Sequence, residues 1–446
     1  MGDRSAVYWV FGSIVAAVIA AAALAFSPMA GAVLIGPVLA LAIFAKRPKL
    51  GFLAWLLSVC AVPCWIGAAV GIFLPASLIG SVIALTCLFA GARWIPGKAD
   101  LCVLVLLVAS AFAVYFGSSS GASSATAFVS MFTLWLPGYL VGRFVCEKAG
   151  ISFVKTSVAV TFGAVGLLAI AEQTLSWHPF ASQAGVNSLA DIWAPIQIRG
   201  GEERSEWAFG HSIALGGSLA LAIPFLVNSS LRTKTKLVLL ALILGGVATT
   251  LSRGAMLAAG LTLVLSLLAT GNVKKGQKAV LLLSAGVLGA FTLVDFLAVS
   301  EDAGSEVTDS SGYRVSLFTR LVSTLQPIGR SSAYQGGANG QVQYDNFTSI
   351  DNSFMALGLG FGWIAMLVVA IPFMVMGVRF LRRRASFAEV ALLGQLPVIT
   401  TVAMITQYQV VVWMVAGLAA TLAAAKPSIS TQIDNPQPVK AGSYSE

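Results

Sequence analysis

Ala279–Val299 reads AVLLLSAGVLGAFTLVDFLAV, and Asn352–Val378 reads NSFMALGLGFGWIAMLVVAIPFMVMGV. Between these apolar runs lies a long polar segment rich in Gly, Ser and Gln. It carries Arg314, Arg320 and Arg330 but no lysine, and it leaves through Ile350-Asp351-Asn352-Ser353-Phe354. Each flank is long enough to cross a bilayer as a helix, for which about 20 apolar residues suffice. A polar segment far longer than an ordinary connection, set between two such runs, predicts a membrane bundle with a functional outward loop.

The rest of the chain agrees. Of its 446 residues 57% are hydrophobic and 10% charged, with a mean hydropathy of +0.87, whereas a soluble protein carries about 25% charged residues. In hydrocarbon the backbone must bond to itself, so the apolar runs are expected to be helices. The sequence predicts an all-α, polytopic helical bundle over 1–427, with about 14 membrane spans. They fall near 8–26, 30–45, 51–71, 77–92, 101–117, 125–145, 156–176, 209–228, 237–251, 254–271, 279–299, 352–378, 387–405 and 409–425. The first run follows Arg4, lacks a small-residue cleavage site and is followed at once by another, so it reads as a retained helix. The tail 428–446 is polar and reads as disordered. The five cysteines lie in spans or at an inner edge, which implies no disulfide framework.

The connections fix an orientation. Lys46, Arg47 and Lys49 fall in one; Arg93 and Lys98, then Arg143, Lys148 and Lys155, fall in others. Arg232, Lys234 and Lys236, then Lys274, Lys275 and Lys278, then Arg379, Arg382, Arg383 and Arg384 follow. An inside amino terminus puts all of these on the cytoplasmic side, as the positive-inside rule requires. Both termini are then cytoplasmic, and the net charge of +9 is a topology signal rather than a nucleic-acid footprint. The six basic residues left outside are Arg199, Arg204, Arg253, Arg314, Arg320 and Arg330, all arginine. Arginine offers a permanently charged fork suited to phosphate. The plainer alternative pairs them with Glu202, Glu203, Glu206, Glu301 and Asp302, or lets them reach lipid headgroups.

Two long outward loops emerge, near 177–208 and 300–351. The first carries Trp177, Trp193 and Trp207, expected at headgroup level, and a His178-Pro179 turn that reads as a loop anchor. In the second, Tyr313–Leu321 has the apolar spacing of a short surface helix. Leu251-Ser252-Arg253-Gly254 sits where one span turns outward into the next. Arg253 there is a functional candidate, or else caps the carbonyl end of the preceding span. His211 begins a span and can shuttle a proton or donate to phosphate, or serve only the fold. Asp351-Asn352 heads the span 352–378 either as an ordinary helix cap or with Asp351 as a general base. Gly358, Gly360 and Gly362 read as a close helix-packing face. No outward loop shows a metal-ligand cluster.

The Ser252-Arg253-Gly254 turn, the Arg204…Phe209-Gly210-His211 approach to a span, the Tyr313-Arg314 segment and Asp351-Asn352 before a Gly-rich helix ending in Phe361-Gly362-Trp363 together resemble the O-antigen ligase and polymerase superfamily. The likeness is strongest over 199–378. Ligases of that superfamily tend to carry His-Asn where this chain has Asp351-Asn352, which favours a Wzy-type or exopolysaccharide polymerase. The resemblance implies a glycosyltransferase of the bacterial inner membrane. It would lengthen undecaprenyl-pyrophosphate-linked oligosaccharide repeats at the outer face, without a cofactor or nucleic acid, alongside a chain-length regulator and export machinery. Arg204, Arg253 and Arg314 would clamp the pyrophosphate, with Arg320, Arg330 and Asn352 as further substrate contacts and Asp351 or His211 as base. A ligase acting on another acceptor and a lipid-linked oligosaccharide flippase are the alternatives.

Overall fold

The computed structural model describes residues 47–70, 72–89, 96–116, 128–269, 313, 316–336, 342–345, 347 and 350–424. The expected spans 8–26, 30–45 and 279–299, Arg314 and the tail 428–446 lie outside the described residues. The protein is mostly helical. Among the described residues five helices are long and apolar enough to cross a membrane, by length and composition.

The chain runs through α1 (Pro48–Ala61), a hairpin of β1 (Gly67–Val70) and β2 (Ile72–Pro75), α2 (Ala76–Phe89) and α3 (Lys98–Phe116). A π-helical turn, Met131–Trp135, leads into α4 (Leu136–Ala149), and α5 (Ile151–Thr174) follows after Gly150. After a loop come α6 (Ser188–Trp193), the two-residue strands β3 (Ile198–Arg199) and β4 (Glu202–Glu203), and α7 (Ser212–Val227). Then follow α8 (Thr233–Thr249) and α9 (Arg253–Ala269). The second loop contributes helical turns at 316–321 and the hairpin of β5 (Tyr334–Gly336) and β6 (Val342–Tyr344), paired Tyr334 to Tyr344. The chain closes with α10 (Ser353–Phe361), α11 (Trp363–Leu381), α12 (Phe387–Leu393), α13 (Leu396–Ile399) and α14 (Thr406–Ala424).

Lipid-like surroundings give helices no hydrophobic reason to associate, so close backbone approach at small residues supplies the packing. Here α4 meets α14 through Gly138, Gly142 and Gly417, whose absent side chains leave room for the carbonyls of Val410, Met414 and Tyr139. Likewise α5 meets α8 where Gly166 faces Leu242 and Gly246. The central helix is α7, buried along almost its whole length.

The basic clusters among the described residues gather at one end. Lys49 lies over the Phe153 ring and Lys155 over the Phe387 ring, which brings together the starts of α1, α5 and α12. Arg143 pairs with Asp100 at 2.7 Å and bonds Thr421 at 3.0 Å, joining the start of α3 to the ends of α4 and α14. Arg379 at the end of α11 pairs with Glu389 of α12. At the opposite end stand the starts of α7 and α9 with the ends of α1, α5 and α8, and the basic residues among them are arginines.

Three expected spans are corrected. Residues 51–71 form a helix only to Ala61 and then the β1–β2 hairpin, because Pro63 and Gly67 interrupt it. The run 352–378 is two helices. Within one continuous helix Phe354 and Phe373 would stand about 28 Å apart, yet their ring centroids are 5.7 Å apart. A Cβ on Gly358 would lie 3.4 Å from the Met366 sulfur. Thus α10 folds back on α11. Gly358 serves close packing as expected, but Gly362 makes the turn: its φ is +101°, and a Cβ there would come 2.6 Å from the Pro327 carbonyl oxygen. The run 387–405 is also broken, around Gly394-Gln395 and again at 400–405.

The two interruptions satisfy one another. Asn352 Nδ2 donates to the Thr400 carbonyl at 2.9 Å, and Ser353 Oγ donates to the Val402 carbonyl at 2.7 Å. Non-helical backbone below a membrane surface is tolerated where protein supplies such partners. Contact with Phe373 places the start of α10 level with the middle of α11, so Asn352 is recessed. Cysteines introduced as Phe354→Cys/Phe373→Cys should be joined by a short thiol cross-linker, identified as a cross-linked peptide by mass spectrometry. Absence of that peptide in a folded variant would restore the continuous span.

Candidate functional site

The first outer loop is tied down by a carboxylate. Glu172, in the last turn of α5, is 3% exposed. Its Oε2 accepts the backbone N–H of Glu206 at 3.0 Å and of Trp207 at 2.7 Å, and its Oε1 is 3.2 Å from His178 Nδ1. His178 Nε2 reaches Glu203 at 3.0 Å, so this histidine anchors the loop. Ser205 bonds the Ala169 carbonyl through Oγ and the Thr249 carbonyl through its N–H, and the Trp207 indole donates to the Cys60 carbonyl. The loop therefore lies across the ends of α1, α5 and α8. Trp177 and Trp207 join in one aromatic cluster with ring centroids 5.9 Å apart.

The hairpin β3–β4 turns at Gly200-Gly201, both with positive φ (+59° and +82°), as a two-residue hairpin turn requires. It directs two guanidiniums at the carbonyl end of α8. Arg199 Nη1 donates to the Leu251 carbonyl and Arg204 Nε to the Thr250 carbonyl, each at 2.8 Å. These arginines cap α8, where a helix dipole favours a cation. Arg204 Nη1 also bonds Gln197 Oε1 at 3.4 Å, and Ser212 Oγ donates to the same oxygen at 2.9 Å.

Burial, and then the neighbouring Arg199, pull the Arg204 pKa down to about 10. Arg204 still carries its charge at neutral pH, held by neutral acceptors rather than by a carboxylate at ion-pair distance. His211 is extended and caps α7, its Nδ1 accepting the Ile213 N–H at 3.1 Å. Burial and Arg204 push its pKa down to about 4. A neutral imidazole whose Nδ1 accepts must carry its proton on Nε2, so His211 is built to donate. Glu206 is 5% exposed and accepts the Gln197 N–H at 2.9 Å. Burial moves its pKa up to about 8, with Glu172 adding to the rise.

Ser252 caps α9, accepting the Ala255 N–H at 3.3 Å, and Arg253 is the first residue of that helix. Asn352 caps α10 by accepting the Met355 N–H at 2.9 Å. The two helix starts share a border: a Cβ on Gly254 would lie 3.4 Å from Thr401 Oγ1, next to the Thr400 carbonyl that Asn352 holds. Arg204, His211, Arg253 and Asn352 thus belong to one connected region, and half-buried Asp351 stands directly before the Asn352 cap. Three helix N-termini, each with its partial positive charge, meet there with the arginines.

Two candidates lie elsewhere. Arg320 is exposed on the 316–321 helical turns. Arg330 stacks over the Tyr334 ring at 4.5 Å, beside the segment that wraps the far end of α10. Glu172, Gln197, Glu206 and Thr400 escaped sequence reasoning as site-building residues. An acidic residue near the end of an apolar helix, as Glu172 is, was the one signal present. Comparison with protein-family models, with curated proteins and with solved structures finds no match.

The pKa shifts set a pH dependence. Glu206 has its pKa raised from 4.5 to about 8, so it binds more protons folded than unfolded and lowers stability as pH rises across that window. His211, lowered from 6.5 to about 4, acts oppositely across its own window. The two slopes cancel between 4.5 and 6.5, leaving a loss of stability from pH 6.5 to 8. Thermal unfolding in detergent should show that loss, and Glu206→Gln should reduce it, the remainder coming from the buried Glu172 carboxyl. An equal fall in the variant would remove Glu206 as its cause.

Proposed function

We propose that this chain is a membrane glycosyltransferase that polymerises polyprenyl-pyrophosphate-linked oligosaccharide repeats at the face bearing the arginines. The observation that carries the reading is the convergence of Arg199, Arg204 and Arg253 with three helix N-termini beside Asp351-Asn352. Arg204 is held there by neutral acceptors. Such a region suits a diphosphate more than a neutral ligand.

In the proposed reaction an acceptor hydroxyl oxygen attacks the donor's anomeric carbon. The bond from that carbon to the pyrophosphate oxygen breaks, and the electron pair leaves with the diphosphate. Charge grows on the leaving group, so cations fixed beforehand bind the transition state more strongly than the ground state. His211, neutral and with its proton on Nε2 because Nδ1 accepts the Ile213 N–H, donates a hydrogen bond to a phosphate oxygen. The hydroxyl proton goes to Asp351, because the His211 Nδ1 lone pair is occupied by the Ile213 N–H. The recess formed by the re-entrant α10 and the 400–405 turn supports exclusion of water, which would otherwise hydrolyse the donor.

A reconstituted assay with defined lipid-linked repeats tests this. Arg204→Ala should lower elongation about 10²–10³-fold, the cost of losing one preorganised transition-state donor. Asp351→Asn should lower it about 10²–10⁴-fold, both variants staying folded. Unchanged rates in both would end the proposal. Extension only when a second class of acceptor is supplied would make the enzyme a ligase.

A further inference from the structure

The basic end of the bundle holds a feature that the catalytic reading does not use. A half-open cavity of about 460 Å³ lies between α3, α11 and α14. Its walls are apolar, with Val103 and Leu106 from α3, Val369 and Pro372 from α11, and Ala416 and Ala420 from α14. Among the described residues little protein covers the outer side of α11, and Ile371, Met374, Val375 and Val378 are exposed. In a bilayer this face meets lipid.

The dimensions choose among lipids. The lining runs from Val368 to Arg379 on α11 and from Val412 to Ala423 on α14. At 1.5 Å per residue each stretch is about 16 Å long, close to half of the roughly 30 Å hydrocarbon core. The cavity therefore occupies one leaflet. Its deep end is Ser353-Phe354, where the re-entrant helix begins, and its mouth is at Lys98 and Arg379.

The mouth is electropositive. Its two carboxylates are already engaged: Asp100 by Arg143 and Tyr139, and Glu389 by Arg379 and the Ser386 N–H. Lys98, Arg382, Arg383 and Arg384 are exposed beside them, and the Arg384 carbonyl bonds Arg379 Nη2 at 3.1 Å. An acyl chain gains no hydrophobic free energy by leaving other lipid chains for this groove, since both surroundings are apolar. Selectivity must come from the headgroup, where each nearby Lys or Arg contributes about 1 kcal/mol toward an anionic lipid.

We propose that this groove binds an anionic diacyl phospholipid of the leaflet at the basic end. One acyl chain fills the cavity, and the phosphate rests on Lys98 and the Arg382–Arg384 guanidiniums. A polyprenyl donor does not fit the site, because its diphosphate would belong at the opposite end of the bundle. The proposal rests on the membrane reading of the helices, and its exclusion of a polyprenyl donor rests on the glycosyl-transfer reading.

The test uses the full chain in lipid nanodiscs with phosphatidylglycerol carrying a photoactivatable diazirine in its acyl chain. Labelled peptides should concentrate in 98–106, 368–379 and 412–423, and phosphatidylcholine with the same group should label them more weakly. Lys98→Gln, a surface change that leaves thermal unfolding unaltered, should weaken phosphatidylglycerol labelling about fivefold. Equal labelling by the two lipids, or labels spread evenly around the exposed helix faces, would reduce the groove to ordinary lipid contact and overturn the proposal. Displacement by excess polyprenyl phosphate would overturn it too, by assigning the groove to a donor chain.

Discussion

The buried carboxylate of Glu172 is the fixed point of the arginine-bearing end. A charge or polar group taken out of water is costly unless it is bonded, and Glu172 is bonded on both oxygens, to two backbone amides and a histidine. Those amides, of Glu206 and Trp207, would otherwise be buried without acceptors, at about 1–3 kcal/mol each. Fixing residues 206 and 207 fixes Arg204 just before them and His211 just after. The placement of the cationic region over the ends of α5, α7 and α8 therefore follows from one acidic side chain in the last turn of an apolar helix.

The two ends of the bundle treat positive charge differently. At the lysine-containing end, Arg143 and Arg379 are matched to Asp100 and Glu389, so each charge is compensated where it is buried. At the opposite end Arg199 and Arg204 reach backbone carbonyls at the C-terminus of α8. Carbonyl dipoles hold a guanidinium in place without cancelling its charge. The bonds that position Arg204 leave it able to meet an anion, and its depressed pKa reflects the cost of keeping that charge half-buried.

Helix interruption supplies the depth. The turn at Gly362 sends α10 and α11 side by side, and the break at 400–405 faces the start of α10. Each interruption exposes backbone groups that a continuous helix would have satisfied. Asn352 and Ser353 supply the partners, which is why these polar residues stand at the head of an otherwise apolar run. The same arrangement ends the lipid-facing groove at Ser353, so the recess above and the groove below are separated by one helix start.

Helical class, membrane character and the separation of lysine clusters from the arginine-only segments were legible in the sequence, because each depends on composition or local spacing. So were individual elements: the anchoring role of His178, the start of a helix at His211 and the cap at Asn352. The folding back at Gly362 was not, since a largely apolar run of 27 residues satisfies the length of a single tilted span and the clash with Pro327 exists only across the fold. Nor was the capping of α8 by Arg199 and Arg204 of the preceding loop. The sequence by itself determined that this chain is a helical membrane protein with six of its arginines in segments that hold no lysine, because apolar runs and charge spacing are local properties. The tertiary structure alone decided which arginines meet and how deep Asn352 lies, because those depend on backbone groups far apart in the chain that find their hydrogen-bond partners only when the helices pack.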